Sequence, residues 1–250
     1  MSIGLKEKEI LSLLSPNTSV SIKTIAKKLY ISEPTARRYL AKLSDEGYVI
    51  RTHGGCMLNY VKTEKDIPLY VRLASNNEGK QQIAKKAATL IEASKTIFLD
   101  ASSTVFQLIP YLKDINNLTV ITNGLKTAMA LTEMNVKTFC TGGFISQYNM
   151  AMSSMSAIDA IKMMNADMFF FSCESLAENG TLVDNSYEET FIRRAIMKQS
   201  AVNVLLIDNS KIFKNGKFKY NLATLREIDY CISNVKLADD LAEMPRKGCL

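Results

Sequence analysis

The sequence predicts an α/β protein in which an N-terminal winged helix-turn-helix precedes a larger, mostly parallel α/β domain. Three observations predict it. Charge is unevenly distributed, apolar residues in the first sixty positions recur at helical spacing around a tight turn, and the remainder alternates helical patterns with short apolar runs. Residues 1–60 hold nine Lys and Arg against five Asp and Glu, a net +4, whereas the other 190 hold 22 against 20, a net +2. A basic small segment ahead of a nearly neutral large one points to an electrostatic task at the N-terminus.

Composition bounds the remaining possibilities. With 250 residues, 47% of them hydrophobic and 22% charged, the chain has ample material for a core and does not read as disordered. No apolar run approaches the roughly 20 residues of a membrane-spanning helix. Acidic residues stand in the first nine positions, where a signal peptide would carry apolar ones. The five cysteines (56, 140, 173, 231 and 249) are scattered and include no Cys-x-x-Cys. That pattern argues for reduced thiols in a cytosol, and with a single His it argues against structural zinc. The expectation is a cytoplasmic protein without metal, cofactor or membrane contact.

Leu5, Ile10, Leu11, Leu13 and Leu14 form a first helix, broken at Ser15-Pro16-Asn17. Ile22, Ile25, Ala26 and Leu29 make the stripe of a second. Ser32 is placed to cap a third helix, Glu33 to Leu43, whose Ala36, Leu40 and Leu43 face inward. Pro34, Arg38 and Ala41 fall opposite, with Arg37 and Lys42 on the shoulders, and Gly47 offers a left-handed stop. Tyr48–Arg51 then reads as a strand, His53-Gly54-Gly55 as a turn, and Cys56–Leu58 as a return strand. In a winged helix the third helix enters the major groove of duplex DNA, where an Arg fork binds guanine or phosphate with two hydrogen bonds. The candidate DNA-contacting residues are Ser32, Pro34, Thr35, Arg37, Arg38, Tyr39, Lys42, Arg51 and His53. A three-helix bundle with a solvated basic face is the competing reading.

The DNA-binding module is set at 1–60, an interdomain connection without clear period at 61–75, and the large domain at 76–250. Helices are predicted over 82–94, 105–112, 125–133, 156–165 and 188–198, and strands over 96–99, 118–121, 136–140, 168–171 and 202–207. Continuously apolar strands between helices imply a parallel sheet covered on both faces, which binds ligands beyond its carboxyl ends. Polar residues gather there: Asp100, Ser102, Ser103 and Thr104; Thr122 and Asn123; Gly142 and Gly143; Asp208 and Lys211. Hydroxyls with Lys211 suit an anionic ligand, while ordinary capping and turn formation explain each segment taken singly. Glu189 is read both as a ligand contact and as one half of a capping box with Ser186.

Ser32-x-x-Thr35-x-Arg37-Arg38-x-Leu40-x-x-Leu43-x-x-x-Gly47, followed by Arg51-x-His53-Gly54-Gly55, resembles the signature of the DeoR family of bacterial transcriptional regulators. The family usually has Ile where Ala36 stands and Asp where Tyr39 stands. Asp100-Ala101-Ser102-Ser103-Thr104, Thr122-Asn123, Gly142-Gly143, Asp208 with Lys211, and Glu189-Thr190…Arg193-Arg194 resemble the same family's sensor domain. That domain is similar to ribose-phosphate isomerases and CoA transferases. The resemblance implies a dimeric or tetrameric repressor of a carbohydrate-utilisation operon, bound to operator DNA and released by a phosphorylated sugar. Serine replaces family glycines at 102, 154, 172 and 175, which would narrow the site or forbid a left-handed backbone. A regulator that has lost its inducer is therefore a further expectation. The alternative from another class is a sugar-phosphate isomerase or transferase with an appended DNA-binding module, for which Glu174 and Glu189 are the available carboxylates.

Overall fold

The computed structural model describes residues 5–14, 19–46, 48–58, 69–74, 76–146, 148–214 and 216–250. The predicted break at 15–17, the stop at Gly47 and most of the 61–75 connection lie outside them. The chain divides into two compact units, Met1–Asn77 and Glu78–Leu250.

The first unit contains helices α1 (Leu5–Ser12), α2 (Ile22–Leu29) and α3 (Glu33–Asp45), with strands β1 (Val20–Ser21), β2 (Val49–Thr52) and β3 (Gly55–Leu58). The three strands form an antiparallel sheet in the order β1-β3-β2. Local chemistry sets the helix starts. The Ser21 hydroxyl accepts from the Thr24 amide and the Ser32 hydroxyl accepts from the Thr35 amide, while Pro34 sits in the first turn of α3, where a missing N–H costs nothing. Tyr30 closes α2 in the left-handed region (φ 53°). Ile10, Leu11, Leu14, Ile25, Ala36, Leu40, Leu43 and Val49 form one buried cluster, so the inward face predicted for α3 is the observed one. Glycine is required in the wing: a Cβ on Gly55 would lie 2.3 Å from the Val20 carbonyl oxygen. A helix, α4 (Leu69–Ala74), occupies part of the stretch read as a connection without period and packs against α1. Six residues are too few for a 3.6-residue periodicity to register.

Helix α5 (Asn77–Ala88) starts at the boundary, and the second unit continues with β4 (Thr96–Leu99), α6 (Ser103–Phe106), β5 (Thr119–Thr122), α7 (Leu125–Glu133) and β6 (Lys137–Cys140). The hairpin β7 (Phe144–Ile145) and β8 (Met152–Ser153) follows, then α8 (Met155–Lys162) and β9 (Ala166–Phe171). Next come β10 (Ser175–Leu176), β11 (Thr181–Asp184), α9 (Tyr187–Lys198), β12 (Ser200–Ile207) and β13 (Tyr220–Thr224). The unit ends with β14 (Tyr230–Ser233), α10 (Asp239–Ala242) and β15 (Gly248–Cys249). Seven strands form a wholly parallel sheet in the order β15-β14-β12-β9-β4-β5-β6. Side chains alternate between its two faces. Phe169, Phe171, Leu205 and Ile207 enter one apolar cluster, while Met168, Phe170, Val204 and Leu206 enter the other. This double burial explains the continuous apolar runs.

Several element bounds differ from expectation. The helix predicted over 82–94 runs over Asn77–Ala88 and ends in tight i to i−3 turns through Ile91. The helix predicted over 105–112 is the short α6 and a separate 3-10 turn, Ile109–Tyr111, in which Pro110 has no amide to continue an α-helix. The antiparallel sheet β10-β11-β13 and the outer strands β14 and β15 were not predicted, and four of these five strands have four residues or fewer.

Candidate functional site

In the first unit, α3 exposes Pro34, Arg37 and Arg38, and the wing exposes Arg51 and His53. Ser32 and Thr35 share a hydroxyl hydrogen bond of 2.9 Å at the start of α3. Arg37 approaches Glu33 only to 3.9 Å, an exposed contact too weak to hold it. The Arg38 guanidinium lies 5.8 Å from the centre of the Tyr39 ring, and Tyr39 itself leans on the module's core. Lys42 stands apart from the other basic residues. Its ammonium meets the buried Glu7 carboxylate at 2.7 Å, tying α3 to α1, and that hydrogen bond holds its pKa up. Tyr30, almost wholly exposed in the turn between α2 and α3, is absent from the sequence-derived set. A bulky residue at a helix-closing position was the available signal.

In the second unit, parallel topology brings the carboxyl ends of β4, β5, β6, β9 and β12 to one rim. Asp100 organises it. One carboxylate oxygen accepts from the Ser102 amide at 2.9 Å. The other accepts from the Ser172 amide at 3.2 Å and from Arg193 Nε at 2.9 Å. Arg193 also reaches Asp184 at 2.9 Å and Glu189 at 2.8 Å, so one buried guanidinium joins α9 to the ends of β4 and β11. Burial pushes Asp184 up to about 6 despite Arg193. Three carboxylates hold Arg193 far above its ordinary range against its desolvation.

Glu189 therefore completes only half of a capping box. Ser186 accepts from the Glu189 amide, while the Glu189 carboxylate turns to Arg193. That ion pair removes it as a free base. Ser102 caps α6 through the Val105 amide, and Thr122 accepts from the Gly124 amide, so both hydroxyls fix turns. Asp208 caps the 3-10 turn Asn209–Lys211. That turn places Lys211, whose ammonium donates to the Cys173 carbonyl at 2.7 Å and to Ser172 Oγ at 3.3 Å. Both acceptors are neutral, so its charge is not cancelled by direct pairing. Arg193, Asp184, Ser172 and Thr141 are rim residues missing from the sequence-derived set. The Glu189–Arg193 spacing of four on a helix was the signal for the first.

Thr104 Oγ1, Asn123 Oδ1 and Thr141 Oγ1 are buried polar atoms on this rim without a hydrogen-bond partner among the described residues. Asn123 and Thr141 directly follow the paired residues Thr122 and Cys140, so both lie just past the carboxyl ends of adjacent strands. Gly142 (φ 73°) and Gly143 (φ 113°) turn the chain immediately after Thr141, and Ser103, the residue before Thr104, is buried. None of Ser102, Ser154, Ser172 and Ser175 has a positive φ, so the backbone makes no demand for glycine at these sites. Among the described residues no group of His, Cys, Asp and Glu is arranged to hold a metal ion, and no helix is long and apolar enough to cross a membrane.

A winged helix with free arginines, followed by a parallel sheet with an unsatisfied polar rim, defines a DNA-binding regulator carrying a sensor domain. The family models agree with this class. Residues 6–61 match the DeoR-like helix-turn-helix domain and residues 75–235 match the DeoR C terminal sensor domain. The chain belongs to the DeoR family of transcriptional regulators. It is 31% identical to the HTH-type transcriptional regulator GolR of Listeria innocua, over 93% of this chain and 91% of that one. It is 30% identical to the L-fucose operon activator of Escherichia coli, over 92% and 94% respectively. These relatives are regulators, not enzymes. In fold it is similar to eIF2B delta from Chaetomium thermophilum (TM-score 0.50, 16% identity, 83% of this chain and 65% of that one). It is also similar to ribose 5-phosphate isomerase A from Methanocaldococcus jannaschii (TM-score 0.42, 16% identity, 55% of each chain).

Proposed function

We propose that this regulator is a cytoplasmic homo-oligomer that grips the operator of a carbohydrate-utilisation operon and releases it on binding a phosphorylated sugar. The observation that carries the ligand class is the trio Thr104 Oγ1, Asn123 Oδ1 and Thr141 Oγ1. Buried polar atoms left unpaired cost free energy, and the hydroxyls of a sugar satisfy them. Lys211, bonded only to neutral acceptors, suits the phosphate. Asp100, Asp184 and Glu189 support the site by holding its loops, and Asp208 caps the turn that carries Lys211.

On the DNA side, Arg37 and Arg38 supply the base and phosphate contacts, flanked by Ser32, Pro34, Thr35 and Tyr39. Arg51 and His53 on the wing meet the adjoining backbone. Lys42 braces α3 against α1 through Glu7. Two copies of α3 reading a symmetric operator need half-sites about 34 Å apart, which favours an even oligomer. Blockage of a promoter makes such a regulator a repressor; an operator upstream of a promoter makes the same release an inactivation.

Thermal melting against paired panels of sugars and their phosphates tests the ligand class, since a ligand that binds only the folded state raises the midpoint. Stabilisation by one or more phosphates, coupled to loss of operator retention in a gel shift, is the expected result. Equal responses to free sugars would overturn the role of Lys211.

A further inference from the structure

Cys231 and Cys249 are register partners on the parallel strands β14 and β15. Adjacent strands run about 4.8 Å apart, inside the roughly 4.4–6.8 Å between Cα atoms that a disulfide spans. In-register residues of parallel neighbours project from the same face, so the two thiols point the same way. Cys231 is fully buried, while Cys249 is partly open to solvent on the outermost strand. Backbone bonds at this edge include the Leu250 amide donating to the Cys231 carbonyl at 3.0 Å, the Ser233 amide donating to the Leu250 carbonyl at 3.3 Å and the Lys247 amide donating to the Asp229 carbonyl at 2.8 Å.

We propose that Cys231 and Cys249 are an oxidation site, at which a hydroperoxide converts two adjacent thiols into a disulfide that staples β15 to β14. The Cys249 sulfur attacks the peroxide oxygen, the O–O bond breaks, and sulfenic acid and water form. The Cys231 sulfur then attacks the Cys249 sulfur, the S–O bond breaks, the S–S bond forms, and a second water leaves. The two sulfurs give up two electrons and the two thiol protons leave with the waters, so hydrogen peroxide is reduced to two waters.

The surroundings make Cys249 the entry point. Hydrogen bonding between the thiols pushes Cys231 up and draws Cys249 down, and the thiolate is the reactive form. Burial drives Cys56 to about 11 and Cys173 to about 12, and it also raises Cys140. The staple lies close to the proposed ligand rim. Asn234, one residue beyond β14, accepts from the Asn209 amide at 2.9 Å, in the turn that carries Lys211.

The full-length protein is treated with hydrogen peroxide, denatured, alkylated and digested with trypsin, which separates 227–236 from 248–250. The expected outcome is a fall from five alkylatable thiols to three, a linked peptide joining Cys231 to Cys249, and full recovery with dithiothreitol. Cys249→Ser, at a partly open position, should keep its circular dichroism spectrum and retain all four remaining thiols. Recovery of Cys249 as sulfinic or sulfonic acid with Cys231 still alkylatable overturns the proposal. So does a disulfide to any other cysteine, or no loss of thiols.

Discussion

At the scale of single residues, the basic side chains of α3 divide by what they touch. Arg37 and Arg38 have no strong internal partner, whereas Lys42 is bound to Glu7. Replacing Arg37 and Arg38 with Ala should abolish operator retention and leave thermal melting nearly unchanged. The salt slope of residual binding should shrink by about one for each DNA phosphate that an arginine no longer neutralises. Parallel loss of folding would show that they hold the module together instead. A second prediction concerns Asp184, pushed up to about 6 by burial. The folded state holds this proton more tightly than the unfolded chain. Its contribution to stability is therefore greatest below the ordinary carboxylate range and is lost as pH rises through about 6. Denaturant midpoints of the wild type should carry a component that falls over roughly pH 4 to 6, and Asp184→Asn should lack it. An identical pH profile in the variant would place the titration elsewhere.

At the scale of elements, legibility followed the range of the forces involved. The capped helices α2 and α3 and the tight turn between them were readable because caps, apolar stripes and turn residues act within a few positions. The serines at 102 and 154 illustrate the reverse. Their meaning depended on backbone angles that the sequence does not specify, and both proved to be caps with ordinary φ. The turn after β6 is stricter. Gly143 has φ 113°, and a Cβ there would lie 2.7 Å from Ser154 Oγ. Gly143→Ala should cost about 1–3 kcal/mol in chemical denaturation, because both the backbone conformation and the Ser154 hydroxyl oppose a side chain. A neutral result would mean that the β6–β7 turn relaxes freely. Strands β10, β11 and β13 escaped detection because runs of two to five residues carry too few side chains to establish a period.

At the scale of the whole molecule, two compact units divide two tasks, and substitutions should separate them. Lys211→Met should leave operator affinity intact while raising the sugar-phosphate concentration needed for release. For the wild type, a ligand at a hundredfold its Kd adds about 2.7 kcal/mol to stability, and the variant should show that gain only at higher concentrations. Fluorescence anisotropy on labelled operator with graded ligand measures both operator affinity and release. Unaltered release would move the phosphate away from the β12 rim. The fold class and the rim ends of β4, β5, β6 and β12 were legible in the sequence, because periodicity and capping are local properties, whereas the end of β9 at Ser172 was not. The division of labour on the rim was decided only in three dimensions. Which carboxylates clamp Arg193, which hydroxyls remain unpaired and which thiols face each other depend on residues up to 93 positions apart meeting in space. A buried polar group takes its role from the partners that folding supplies, and a linear chain does not specify those partners by spacing alone.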